Sequence, residues 1–170
     1  MKNKIKGITY TALFVAIIAV VSQIAIPTPS LVPLTLQTLI IPLCGYLMGW
    51  RIGLTSALVY IFLGAVGAPV FSSLQGGFSV IIGHGGGFIL GFIPLVALCG
   101  AFRNKRLAIP MGCVGTLACH IIGTIWYMYL TGNTLITSFV TASLPYIFKD
   151  IAFCILAYFI SIRLRSKMEI

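Results

Sequence analysis

Six long apolar runs, parted by short breaks, constrain this chain more than any other feature. A helix that crosses about 30 Å of hydrocarbon needs about 20 predominantly apolar residues. Runs near residues 8–26, 34–49, 52–67, 79–101, 107–130 and 145–162 come close to that length. The expected fold is therefore an all-α integral membrane protein, a bundle of six transmembrane helices, with residues 1–170 as a single membrane domain. The second and third runs meet at Trp50-Arg51, which predicts a tight hairpin with its Trp at the interface.

Composition agrees with this reading. The chain is 59% apolar and 8% charged, whereas soluble domains are roughly half apolar and a quarter charged. A mean hydropathy of +1.11 calls for lipid as the solvent of most of the outer face. The opening Met1-Lys2-Asn3-Lys4-Ile5-Lys6 has the charge of a signal peptide, but the apolar stretch behind it, Ile8 to Ile26, outruns the usual h-region of about 7–15 residues.

A net charge of +9 raises nucleic acid as a partner, and placement argues against it. All Lys and Arg except Lys149 sit at the ends or in two short gaps between apolar runs, the pattern of cytoplasmic loops under the positive-inside rule. With Lys2, Lys4 and Lys6 inside, alternation puts Arg51, Arg103, Lys105, Arg106, Arg163, Arg165 and Lys167 inside as well. The loops 27–33, 69–77 and 131–144 on the other side carry no Lys or Arg. Both termini are thus expected in the cytoplasm, with the chain multi-pass in the plasma membrane and lipid as its surroundings.

The outer loops suit two readings. The segment from Pro27 to Pro33 is too rich in proline to be helical, and Pro69–Gly77 is rich in Gly and Ser with apolar members. Either they fold down as lids over a cavity or they are plain interfacial loops. Cys44, Cys99, Cys113, Cys119 and Cys154 all lie in apolar runs without C-x-x-C spacing, as reduced packing residues do. No internal repeat of the kind found in many secondary transporters is visible.

Asp150 is the only acidic residue before Glu169. A carboxylate within a membrane helix costs about 2.5–3.5 kcal/mol on the insertion scale, so an intramembrane acid is a functional candidate unless a donor pairs it structurally. Counted from Pro145, Asp150 falls in the outer half of the bundle. Lys149 precedes it; adjacent helical residues do not share a face, so the two are not expected to pair. Lys149 either snorkels to the outer interface or reaches a ligand's carboxylate from the rim.

The second candidate is Gly83-His84-Gly85-Gly86-Gly87-Phe88, which opens the fourth run. Consecutive glycines expose backbone N–H groups, and a helix start adds partial positive charge, so a small polar ligand could dock there. The alternative is close helix packing along Gly87-x-x-x-Gly91. The chain contains no G-x-S-x-G, no H-E-x-x-H and no P-loop, and Cys119-His120 alone is a poor metal site, so neither an enzyme, a cofactor nor a metal is expected. Ala12 and Ala16 form a small-residue face in the first run, to pack within the bundle or to dock a partner.

Taken together, Val32-Pro33-Leu34-Thr35-Leu36-Gln37-Thr38, Leu63-Gly64-Ala65-Val66-Gly67-Ala68-Pro69-Val70-Phe71, Gly76-Gly77, Gly83 through Phe88 with Gly91-Phe92, and Leu144-Pro145 ahead of Asp150 resemble the BioY family. These are the biotin-specific substrate-capture (S) components of energy-coupling-factor (ECF) transporters. The resemblance implies a six-helix bundle that captures biotin from outside and delivers it with a transmembrane T subunit and ATP-binding-cassette ATPases. It implies that Ala12 and Ala16 meet the T subunit. The substrate's chemistry then assigns roles: Asp150 to accept from the ureido N–H groups, Phe88, Tyr146 and Trp126 as apolar walls, and Lys149, His84 or the amides of Gly86 and Gly87 for the carboxylate, with Gln37 in the shared motif also a binding candidate. The family often reads G-P-T-G-G-Y where this chain has Gly83–Phe88, and often carries Lys where this chain has Phe153. An S component for another small acid such as lipoate, and a membrane scaffold with a structural Asp150, remain the alternatives.

Overall fold

The computed structural model describes residues 2–168, with side chains from Ile5 to Lys167; Glu169 and the side chains of Lys2 and Lys4 lie outside the described residues. Eight helices are present among them: α1 (Lys2–Val21), α2 (Gln37–Met48), α3 (Trp50–Ala65), α4 (Phe78–Ile81), α5 (Gly86–Ala101), α6 (Ala108–Thr131), α7 (Leu135–Ala142) and α8 (Leu144–Met168). Two short strands, β1 (Ala25–Ile26) and β2 (Leu34–Thr35), pair antiparallel across the proline-rich loop, and Ser72–Leu74 forms a 3₁₀ turn.

Each apolar run is helical for most of its length, and the departures sit at one end of the bundle. The first run leaves the helix at Val21 and ends in β1; the second becomes helical only at Gln37, after β2. The fourth is divided into α4 and α5 by Gly83-His84-Gly85. The stretch 131–144, expected as a loop, holds α7, which Thr134 caps by accepting the Thr137 N–H. Irregular backbone at membrane depth is tolerated where it lines a cavity or is covered by protein. By length and hydropathy, α6 alone among the described residues qualifies for a crossing without such help; Ile5–Val21, α2, α3 and α5 are shorter apolar helices.

The α2–α3 hairpin turns on one residue, Gly49, whose φ of +85° is a conformation that glycine adopts readily. Arg103 secures this turn: its Nη1 donates to Leu47 O at 2.7 Å, and Arg165 reaches Tyr46 O at 3.3 Å. Burial, then the charge of Arg165, lowers the Arg103 pKa. The loop arginine, the C-terminal segment of α8 and the start of α3 therefore gather at the same end of the bundle. Trp50 is half exposed there, with the Arg51 guanidinium 5.3 Å from its ring centroid.

In lipid, association between helices rests on packing and hydrogen bonds, since lipid tails are as apolar as the core. One close seam joins α5 to α6. A Cβ on Gly91 would sit 2.7 Å from both Cα and Sγ of Cys119, and one on Gly87 would sit 2.3 Å from Trp126 Cβ. The interior is filled by Tyr46, Tyr60, Phe71, Leu95 and Val96. Both tyrosine hydroxyls find carbonyls: Tyr46 donates to Ala108 O at 3.0 Å and Tyr60 to Val70 O at 3.1 Å. The five cysteines are free, and all but Cys113 are buried.

Candidate functional site

Opposite the arginine end, the bundle encloses a cavity of about 330 Å³. That volume falls within the range of about 300–1,000 Å³ usual for small-molecule sites. Five helices line it: Gln37 and Thr38 from α2, Val80 from α4, Phe88, Ile89 and Phe92 from α5, Cys119 and His120 from α6, and Tyr146, Lys149 and Asp150 from α8. Leu31, Val32 and Pro33 close it from one loop, Phe71, Ser72 and Gln75 from another, and Gly83-His84-Gly85 from the break before α5. The loops at 27–33 and 69–77 thus line the cavity, as lids would. The second is held down: Ser22 Oγ donates to Val70 O at 2.6 Å, Gln23 Nε2 to Phe71 O at 3.1 Å, and Leu74 N–H to Gln23 Oε1 at 2.8 Å.

Asp150 lies at the polar centre, with 5% of its surface exposed. Its Oδ1 accepts the Thr38 hydroxyl at 2.6 Å and lies 2.6 Å from Lys149 Nζ. Its Oδ2 faces His120 Nε2 at 3.1 Å. The expectation that neighbours on a helix would not pair is overturned. The flexible four-carbon stem of Lys149 turns the ammonium toward the junction of β2 and α2, where it also donates to Thr35 O at 2.9 Å and to Thr38 Oγ1 at 3.1 Å. Lys149 consequently does not snorkel to the rim. Its three protons meet three protein oxygens, and its Nζ rests 5.0 Å from the Phe153 ring centroid.

The other expected residues divide. Gln37 lines the cavity, donating one Nε2 proton to Tyr60 at 2.6 Å and accepting from Thr35 Oγ1 at 3.0 Å. Tyr146 lines it with its hydroxyl fixed by Thr28 at 2.9 Å and Val32 O at 3.0 Å. His84 lines it from the loop, its ring 5.8 Å from that of Tyr127, and among the described residues no side-chain hydrogen bond engages its nitrogens. Phe88 lines it edge-on to His120 at 5.7 Å. Gly86, Gly87 and Trp126 are not in the lining. Gly86 is pressed against Ile81 O and Gly87 against Trp126, while the Trp126 indole donates to Gly83 O at 3.0 Å. These three hold the glycine loop in place, and the part of the motif that faces the cavity is Gly83–Gly85 and Phe88. Ala12 and Ala16 are exposed, beside Leu13 and Val20 that are 50% and 70% exposed, so they do not pack within the bundle.

Three polar residues of the site were not singled out in the sequence: Thr35, Thr38 and His120. Both threonines stand in the Leu34-Thr35-Leu36-Gln37-Thr38 stretch, a signal already present in the motif. In the sequence His120 stands out only beside Cys119, a pair that makes a poor metal site. An imidazole in an apolar run is itself a signal of a paired or functional group.

Fold and cavity define a class: an all-helical bundle of membrane composition, built around a pocket of small-molecule size with a buried carboxylate in its wall. The BioY family profile matches residues 1–169, and the chain belongs to that family. It is 34% identical over 164 residues to the probable biotin transporter BioY of Pyrococcus horikoshii, covering 96% of this chain and 99% of that protein. It is 36% identical over 162 residues to the biotin transporter BioY2 of Lactococcus lactis, covering 92% and 88%. Among solved structures, the S-component for biotin from an ECF-type ABC transporter superposes with a TM-score of 0.87 at 27% identity, covering 97% of this chain and 93% of that one.

Proposed function

We propose that this chain is the biotin-capture S component of an ECF-type uptake transporter. In this reading α1, α2, α3, α4 with α5, α6 and α8 are six passes through the plasma membrane, both termini and the arginine end are cytoplasmic, and the cavity opens outward. A transmembrane T subunit and ATP-binding-cassette ATPases supply the energy, in keeping with a chain that has no P-loop. Exposed Ala12 and Ala16 offer the T subunit a face of close approach.

The observation that carries the reading is the state of Asp150. Oδ1 is covered by Thr38 and Lys149, while among the described residues Oδ2 has His120 alone. A carboxylate oxygen accepts two hydrogen bonds, so Oδ2 keeps one position for a ligand N–H. The ureido edge of biotin supplies such an N–H beside a carbonyl, and the second Nε2 proton of Gln37 is a donor for that carbonyl. Phe88, Phe92 and Ile89 make the apolar wall for the thiophane ring and chain. The unengaged imidazole of His84 and the Gly83–Gly85 backbone suit the carboxylate. Lipoate offers no N–H and would leave the open position on Oδ2 unmet, which favours biotin.

Titration of the purified protein with biotin and lipoate tests this. Biotin should bind tightly and lipoate at least tenfold more weakly. No binding at micromolar biotin would remove the proposal.

A second reading, a scaffold with a structural Asp150, draws on the three protein donors that the carboxylate already has. The Asp150→Asn variant treated below separates the two.

A further inference from the structure

His120 enters the reading above only as the partner of Asp150 Oδ2, and it has further partners of its own. His120 is 4% exposed in the middle of α6 and lies between two hydrogen-bonding partners on α8 and at its entry. Its Nε2 is 3.1 Å from Asp150 Oδ2, and its Nδ1 is 3.2 Å from Ser143 Oγ. Ser143, fully buried at the joint of α7 and α8, is in turn 2.6 Å from Thr124 Oγ1. Phe88 meets the ring edge-on from α5.

A neutral imidazole carries one proton, and the nitrogen that lacks it must accept. An ionised carboxylate only accepts, so Nε2 holds the proton and Nδ1 takes the Ser143 O–H. Ser143 Oγ then accepts from the Thr124 hydroxyl. With the imidazole neutral, donation runs from Thr124 through Ser143 and His120 to Asp150, its direction set by the carboxylate at its end; His120 O, at 3.5 Å from Ser143 Oγ, is a more distant second acceptor for the same O–H.

We propose that His120 is a positioning residue for ligand capture: held as the Nε2–H tautomer by Ser143, it occupies one lone-pair direction of Asp150 Oδ2 and thereby fixes the direction left for the ligand's N–H. Asp150 has a side chain short enough to rotate about its own torsions, and Thr38 with Lys149 grips only Oδ1. Without a donor on Oδ2, the carboxylate plane can turn, and the single free position no longer meets a ligand N–H. This inference rests on the biotin-capture reading for its ligand, while the hydrogen-bond row exists without one.

The test uses the full chain in detergent or nanodiscs. His120→Gln keeps an N–H close to the Nε2 position and should bind biotin within about threefold of wild type. His120→Phe keeps the ring and removes the donor, and should bind at least tenfold more weakly. Equal binding by His120→Phe and wild type overturns the inference and leaves the biotin reading intact. Ser143→Ala serves where His120→Phe does not fold, and should bind biotin about threefold to tenfold more weakly; wild-type affinity there counts against the inference. Histidine ¹⁵N chemical shifts give an arm that needs no ligand: wild type should show Nε2–H at His120, and Ser143→Ala a mixture of tautomers. An Nδ1–H tautomer in wild type overturns the proposal. A wild-type protein with the Nε2–H form that binds no biotin instead sinks the capture reading alone.

Discussion

Lys149 and Asp150 are consecutive in α8, yet Nζ and Oδ1 lie 2.6 Å apart. Helix geometry sends their Cβ atoms about 100° apart around the axis, so the contact is made by the lysine stem and not by the backbone. What draws the ammonium inward is the junction of β2 and α2: Thr35 O and Thr38 Oγ1 complete its shell. The pair thus ties α8 to the entry of α2 through the cavity wall.

Asp150→Asn keeps the side-chain shape and removes the charge. A hydrogen bond to a charged group contributes about 1.5–3 kcal/mol, so biotin affinity should fall about tenfold to 150-fold while helical content, followed by circular dichroism, is retained. Wild-type affinity in a folded Asp150→Asn protein would support the scaffold reading.

Breaking the buried pair from one side leaves a lone charge. Removing one partner of such a pair typically costs about 3–5 kcal/mol. Because Lys149 keeps 21% of its side chain exposed, Lys149→Met should fall at or below the low end of that range. The double variant Lys149→Met/Asp150→Asn should be more stable than the sum of its singles predicts. A double-mutant cycle on thermal midpoints decides it, and simple additivity would refute a coupled pair.

The glycines of the fourth run should separate by role. Gly85 has φ −85° and nothing within 4 Å of a Cβ, so Gly85→Ala should fold as wild type. Gly87→Ala forces a methyl against Trp126 and Gly123, a kind of overpacking that costs about 1–3 kcal/mol. Thermal unfolding of the two variants side by side checks the contrast.

Ala12 and Ala16 should matter for assembly and not for capture. Ala12→Leu/Ala16→Leu adds bulk to an exposed face, so biotin binding by the isolated protein should stay within twofold of wild type. Co-purification with the T subunit and biotin uptake by cells should both drop at least tenfold. Unchanged uptake would remove this face from the interface.

Gln23 holds the 69–77 loop through three bonds, from Nε2 to Phe71 O and, longer, to Val70 O, and from Leu74 N–H to Oε1. Each such bond contributes about 0.5–1.5 kcal/mol, so Gln23→Ala should release the loop and speed biotin dissociation about fivefold or more. Stopped-flow exchange measures this; an unchanged dissociation rate would mean that the loop does not gate the cavity.

Much of this architecture is legible along the chain because its signals are local. Apolar length announces the helices, the proline loop announces non-helical backbone, and the cost of a carboxylate in lipid singles out Asp150. The divided fourth run was not legible, since Gly83-His84-Gly85 interrupts the helix without interrupting hydropathy. α7 was missed for the opposite reason: eight residues capped by Thr134 are too short to register as an apolar run.

By itself the sequence determined that this chain is helical and of membrane composition, that its cations other than Lys149 fall at the ends and in two short gaps, and that Asp150 and the glycine loop are candidates for a binding role. Only the tertiary structure decided which donors Asp150 meets. Thr38, His120 and Lys149 reach it from α2, α6 and α8, and the choice of facing residues depends on how each helix is rotated in the bundle. That rotation is set by packing at seams such as Gly91 against Cys119, where a single methyl is the difference between contact and clash. Spacing within one helix carries no information about it, which is why His120 and Asp150, 30 residues apart in the chain, become partners only once the bundle is assembled.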